Sequence, residues 1–76
     1  MVEAYVLLMT AAGTARPVLA SLRELDAVTR ASIIAGEFDI IAEVEADSNQ
    51  ELLSLVTEQI QCDENVGRTR TCIVLE

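Results

Sequence analysis

The residues of this chain with chemistry to offer fall in two short stretches, Gly36-Glu37-Phe38-Asp39 and Thr69-Arg70-Thr71. Asp39 sits just past a turn, where its carboxylate can accept charge-assisted hydrogen bonds from an ammonium group. Backbone N–H groups of the same turn can hold a carboxylate. Thr69 and Thr71 are two apart, so in a strand both hydroxyls leave one face. A turn glycine, an Asx-type aspartate and strand-favouring threonines account for the same residues without any ligand.

Other chemistries find less support. There is no His and no Lys, so neither a Ser nor a Cys has the usual partner base. Glu43 and Glu45 would serve acid–base work only if they shared a pocket with Asp39, and alternate positions on a strand more simply give a solvated face. Asp63-Glu64-Asn65 lacks the spaced ligands of a calcium loop and reads as the turn that ends a helix. Cys62 and Cys72 lack the CxxC spacing of a zinc site. No glycine-rich phosphate loop is present. The expectation is a protein with no catalytic residues, no metal and no cofactor.

Bulk properties narrow the partners. The net charge is −8, from thirteen Asp and Glu against five Arg. Such a chain repels phosphate backbones and anionic lipid, so direct nucleic-acid or membrane binding is not expected. No run reaches the roughly 18 apolar residues of a membrane span, and the N-terminus lacks a signal peptide's basic start. A cytoplasmic setting with reduced thiols is expected. Seventy-six residues make one small domain, 1–76, which buries only roughly 60–65% of its unfolded surface. Self-association is the natural reinforcement where disulfides and metals are missing.

The elements that must position these residues follow from periodicity. Val2–Thr10 is almost wholly apolar and reads as a strand covered on both faces. Gly13 and Thr14 break it, with Thr14 placed to N-cap a helix, and Ala15–Leu25 carries Val18, Leu19, Leu22 and Leu25 at helical spacing, with Pro17 tolerated in the first turn. Val28–Ala35 is rich in β-branched residues. A turn in which Gly36 takes positive φ joins it to Asp39–Ala46, where Ile40, Ala42 and Val44 alternate with Ile41, Glu43 and Glu45. Ser48-x-x-Glu51 is a capping box for a second helix with Leu52, Leu53, Val56 and Ile60 inward. Val66–Glu76 ends the chain as a strand.

The order βαββαβ predicts an α+β, ferredoxin-like fold: a four-stranded antiparallel sheet, order 4-1-3-2, with both helices on one face. Two helices leave the other face open, yet in the first strand Tyr5, Leu7 and Met9 are as apolar as Ala4, Val6 and Leu8. Ile73 and Leu75 are expected to join Tyr5, Leu7 and Met9 in a dimer interface. Covering four such side chains contributes roughly 6–10 kcal/mol before the cost of association.

Two stretches resemble the effector-binding (RAM) domain of the leucine-responsive/asparagine regulator family, Lrp/AsnC. Ala35-Gly36-Glu37-Phe38-Asp39 matches that family's Gly-x-(Tyr/Phe)-Asp hairpin, and Arg68-Thr69-Arg70-Thr71-Cys72-Ile73-Val74-Leu75 its terminal Thr-x-Thr-hydrophobic strand. Ala4-Tyr5-Val6-Leu7-Leu8 and the Leu25…Val28 turn also fit, so the likeness covers nearly the whole chain. It implies a homodimer built through the sheets, assembling into rings, with a small amino acid bound at junctions between dimers. The effector contacts it implies are Gly36, Glu37, Phe38, Asp39, Thr69 and Thr71. Glu43, four residues beyond Asp39 on the same strand face, is added on physical grounds. Family members usually begin with a helix-turn-helix, and Met1 stands directly before the first strand here. The expectation is therefore a stand-alone domain that acts through full-length Lrp/AsnC regulators or by sequestering effector. Two alternatives stand beside it. One is a purely structural interaction module. The other is a dimeric α+β barrel enzyme, for which only Tyr5 and Phe38 supply aromatic lining.

Overall fold

The aliphatic run at the N-terminus becomes the strand around which the fold is built. In the computed structural model, which describes residues 1–76, β1 (Val2–Thr10) lies between β3 (Ile40–Ala46) and β4 (Val66–Ile73), and β2 (Val28–Ile33) flanks β3. The order β2-β3-β1-β4 is the expected one counted from the opposite edge, and every pairing is antiparallel. The architecture is the ferredoxin-like βαββαβ fold. No helix is long and apolar enough to cross a membrane.

The register explains the core. Ala4 pairs with Val44, Val6 with Ala42 and Leu8 with Ile40, so these six side chains share one face. All are buried beneath Val18 and Leu22 of α1 (Ala15–Arg23) and Leu52 of α2 (Asn49–Ser54). Alanine at 4, 31 and 42 leaves room for the helices to approach the sheet closely. Tyr5, Leu7 and Met9 point the other way, and no element of the protomer covers that face.

The second helix departs from expectation. After Ser54 it continues as a π-helical stretch, Leu55–Ile60, in which the Gln61 N–H donates to the Val56 carbonyl at 2.8 Å. Leu52, Leu55, Val56 and Ile60 are inward; Leu53, expected inside, is 64% exposed. From Leu52, one residue's rotation of about 100° carries Leu53 away from the sheet. The start of α2 is as expected in kind. Ser48 Oγ accepts from the Glu51 N–H at 3.1 Å, and Glu51 Oε2 accepts from the Asp47 N–H, one residue before the usual capping-box partner.

Three boundary expectations also shift. The α1 helix ends at Arg23, with the Glu24 and Leu25 N–H groups closing on Ser21 and Leu22, while Leu25 still packs on the core. Thr14 does not cap it; its hydroxyl donates to the Ala11 carbonyl at 2.7 Å, and Gly13, at φ 78°, makes the turn. Gly36 does not take positive φ. The β2–β3 connection spans residues 34–39 rather than a tight turn, so no single residue must be left-handed.

Candidate effector site

Asp39 is the fixed point of the β2–β3 connection. Its N–H donates to the Leu8 carbonyl at 2.9 Å, and its own carbonyl accepts from the Ile34 N–H at 2.9 Å, closing the loop. Its Oδ2 accepts from the Thr10 N–H at 2.8 Å and from the Thr10 hydroxyl at 3.3 Å. The carboxylate therefore satisfies the end of β1, and Oδ1 accepts no hydrogen bond within the protomer. On the other flank, the Arg70 guanidinium lies 5.9 Å from the centre of the Phe38 ring, within cation–π range. The hairpin is thus tied to β1 through Asp39 and to β4 through Phe38. Gly36 and Glu37 form an exposed tip, and a side chain at Gly36 would meet nothing within 4 Å.

The hairpin and the start of β4 meet at one end of the sheet because Leu8 pairs with Ile40 on one side and Thr69 on the other. The threonines, however, face the helices. Thr69 Oγ1 accepts from Gln61 Nε2 at 2.6 Å. Thr71, opposite Val6, lines a mostly apolar cleft of about 250 Å3 with Asn49, Leu52, Leu53, Val56 and Ile73. Glu43 is on the opposite face, paired with Tyr5, and its Oε2 is 3.9 Å from Arg30 Nε. Within one protomer Gly36, Glu37, Phe38 and Asp39 stay together, Thr69 and Thr71 lie past β1 on the helix side, and Glu43 lies apart. No cleft of the protomer is lined by residues 36–39.

The open face is also composed differently from expectation. Leu7 pairs with Arg70 and Tyr5 with Cys72, whereas Ile73 stands opposite Ala4 on the helix-covered side. Ile73 therefore does not share a surface with Tyr5, Leu7 and Met9. Leu75 lies beyond β4 and is 92% exposed. The residues that β4 adds to the open face are Arg70 and Cys72. Sequence reasoning also missed Thr10 and Gln61 as partners of Asp39 and Thr69. Their links span 29 and 8 positions and follow no local spacing.

The arrangement is a helix-backed four-stranded sheet with a pinned, solvent-facing hairpin at one end. The chain belongs to the Lrp/AsnC family: residues 3–76 match the Lrp/AsnC ligand binding domain. No match is found among curated proteins. The crystal structure of FFRP-DM1 is similar over 99% of this chain and 100% of that one, with TM-score 0.96 and 36% identity. A hypothetical protein from Pyrococcus horikoshii is similar over 100% and 92%, with TM-score 0.94 and 36% identity. E. coli AsnC is similar over 99% of this chain and 51% of its own, with TM-score 0.93 and 29% identity. The chain thus spans about half the length of E. coli AsnC.

Proposed function

We propose that residues 1–76 act as one non-catalytic regulatory unit that oligomerises through its open sheet face and binds a small amino acid at junctions between dimers. The observation that carries this is the hairpin. Asp39 and Phe38 hold it rigidly, its Gly36 tip is bare, and no cleft of the protomer surrounds it. A site pre-organised on one side and open on the other suits a ligand whose second wall comes from a neighbouring copy. Asp39 Oδ1 is available to an ammonium group, and the loop N–H groups to a carboxylate. Glu37, Thr69 and Thr71 complete the contacts the family resemblance implies.

Coupling then follows from mass action, because a ligand lodged between dimers favours whichever assembly forms its pocket. Influence on transcription runs through association with full-length Lrp/AsnC regulators or through sequestering effector. Neither route asks a chain of net charge −8 to touch DNA.

The test is light scattering on the purified protein combined with a melting-temperature screen of the twenty amino acids. The proposal expects a dimer or larger assembly, and at least one amino acid that raises the melting temperature or changes the assembly. A monomer indifferent to all twenty would overturn it. An oligomer indifferent to all twenty would instead leave the purely structural module, which the lack of an enclosed cleft also fits.

A further inference from the structure

The chain has six threonines, and their hydroxyls divide into two groups. Those of Thr10, Thr14, Thr29 and Thr57 each donate to an oxygen of the protomer: the Asp39 carboxylate and the carbonyls of Ala11, Glu43 and Leu53. The hydroxyls of Thr69 and Thr71 donate to nothing within the protomer. Thr69 Oγ1 only accepts, from Gln61 Nε2 at 2.6 Å. A threonine hydroxyl carries one proton and two lone pairs. An amide N–H that fills one lone pair leaves the proton to be given elsewhere and polarises the O–H that holds it. Thr69 is thereby left as a donor, and its partner must be an acceptor.

The helix is wound so as to put Gln61 there. The Gln61 N–H reaches back five residues to the Val56 carbonyl, rather than four to Thr57. One extra residue in a turn shifts every later side chain by about 100°. Ile60 is thereby buried while its neighbour Gln61 meets β4 eight positions further on. Such widened turns are rare and gather at functional sites. We propose that Gln61 is a positioning residue for the effector: by occupying a lone pair of Thr69 it aims the Thr69 proton at the effector's carboxylate. This rests on the reading above that Thr69 touches the effector, and adds which end of the effector it meets. A carboxylate offers about four lone-pair sites, enough for the Thr69 O–H and the loop N–H groups together. The ammonium end is left to Asp39 Oδ1.

The test is a melting-temperature titration of the full chain with each of the twenty amino acids and, beside each, its α-carboxamide. The parent needs at least about tenfold more of the amide than of the acid for the same shift. Gln61→Ala raises the acid concentration required about three- to tenfold. In Gln61→Glu the new carboxylate takes the Thr69 proton for itself. Helix and strand stay tied, so the free protein melts within about 3 °C of the parent, yet the preference for acid over amide is lost. Thr69→Ser keeps the hydroxyl and the preference. A parent that responds to amides as well as to acids, a Gln61→Ala chain whose response is undiminished, or a Gln61→Glu chain that melts and responds like the parent would overturn the inference; the last is what a mere tie between helix and strand gives. Failure of the underlying reading looks different: the parent is indifferent to all twenty, or Thr69→Val responds in full.

Discussion

Asp39 reaches back 29 positions to accept the backbone N–H of Thr10 at 2.8 Å, fastening the hairpin to the end of the central strand. The same carboxylate is the proposed anchor for an effector's ammonium group, so its structural and binding roles need separating. Asp39→Asn keeps an amide oxygen for the Thr10 N–H and loses the charge. It should cost stability less than about 1.5 kcal/mol while abolishing the amino-acid response. Asp39→Ala leaves that partly buried N–H unmet and should cost about 1–3 kcal/mol in urea unfolding. Equal destabilisation by both would count against the assigned geometry.

Gly36 offers a cleaner probe. Its backbone is not left-handed and a side chain there meets open space, so Gly36→Val should leave the melting temperature of the free protein within about 2 °C. In the proposed assembly the added bulk projects into the junction and should remove the response to amino acids. A variant that still responds fully would move the site away from the hairpin tip.

Tyr5, Leu7 and Met9 share the open face, and Leu7→Glu puts a charge at its middle. Light scattering should show a smaller assembly, with the fold retained by circular dichroism. Leu8→Ala, one residue on and fully buried, acts on the opposite face. It should cost about 2–5 kcal/mol, a large part of what so small a domain possesses.

Ser48→Ala removes the oxygen that accepts the Glu51 N–H at the start of α2 and should cost about 1 kcal/mol in denaturant unfolding. Because that helix end is exposed and far from the hairpin, the amino-acid response should persist. Losing both together would show that the second helix contributes to the site.

The fold was legible because its signals are local. Alternation in β1 and β3, helical spacing in α1 and the Ser48/Glu51 box each use side chains within a turn or two of one another. The relative parity of β1 and β4 was not. No short turn links them, and Thr69-x-Thr71-x-Ile73 reads equally well facing either way. A one-residue change of register sends every side chain to the other face. That is why Ile73 lies with Ala4 and why Arg70 was passed over. Leu53 and Leu55 traded places for a similar reason, since apolar neighbours in a short helix do not announce which of them turns inward. The hairpin motif was visible, but Thr10 as the partner of Asp39 was not, because only the folded chain brings them together.

Both outer strands are blunted. β2 carries an irregularity between Val28 and Arg30, and Arg23 occupies the Ala31 carbonyl at 3.0 Å; β4 changes register opposite Met9, where Gly67 and Arg68 crowd two residues against one. Unguarded rims would let molecules zip side by side into endless ribbons. With the rims spoiled, any growth that begins on the flat surface stops once that surface is filled, and finite particles are favoured over fibres.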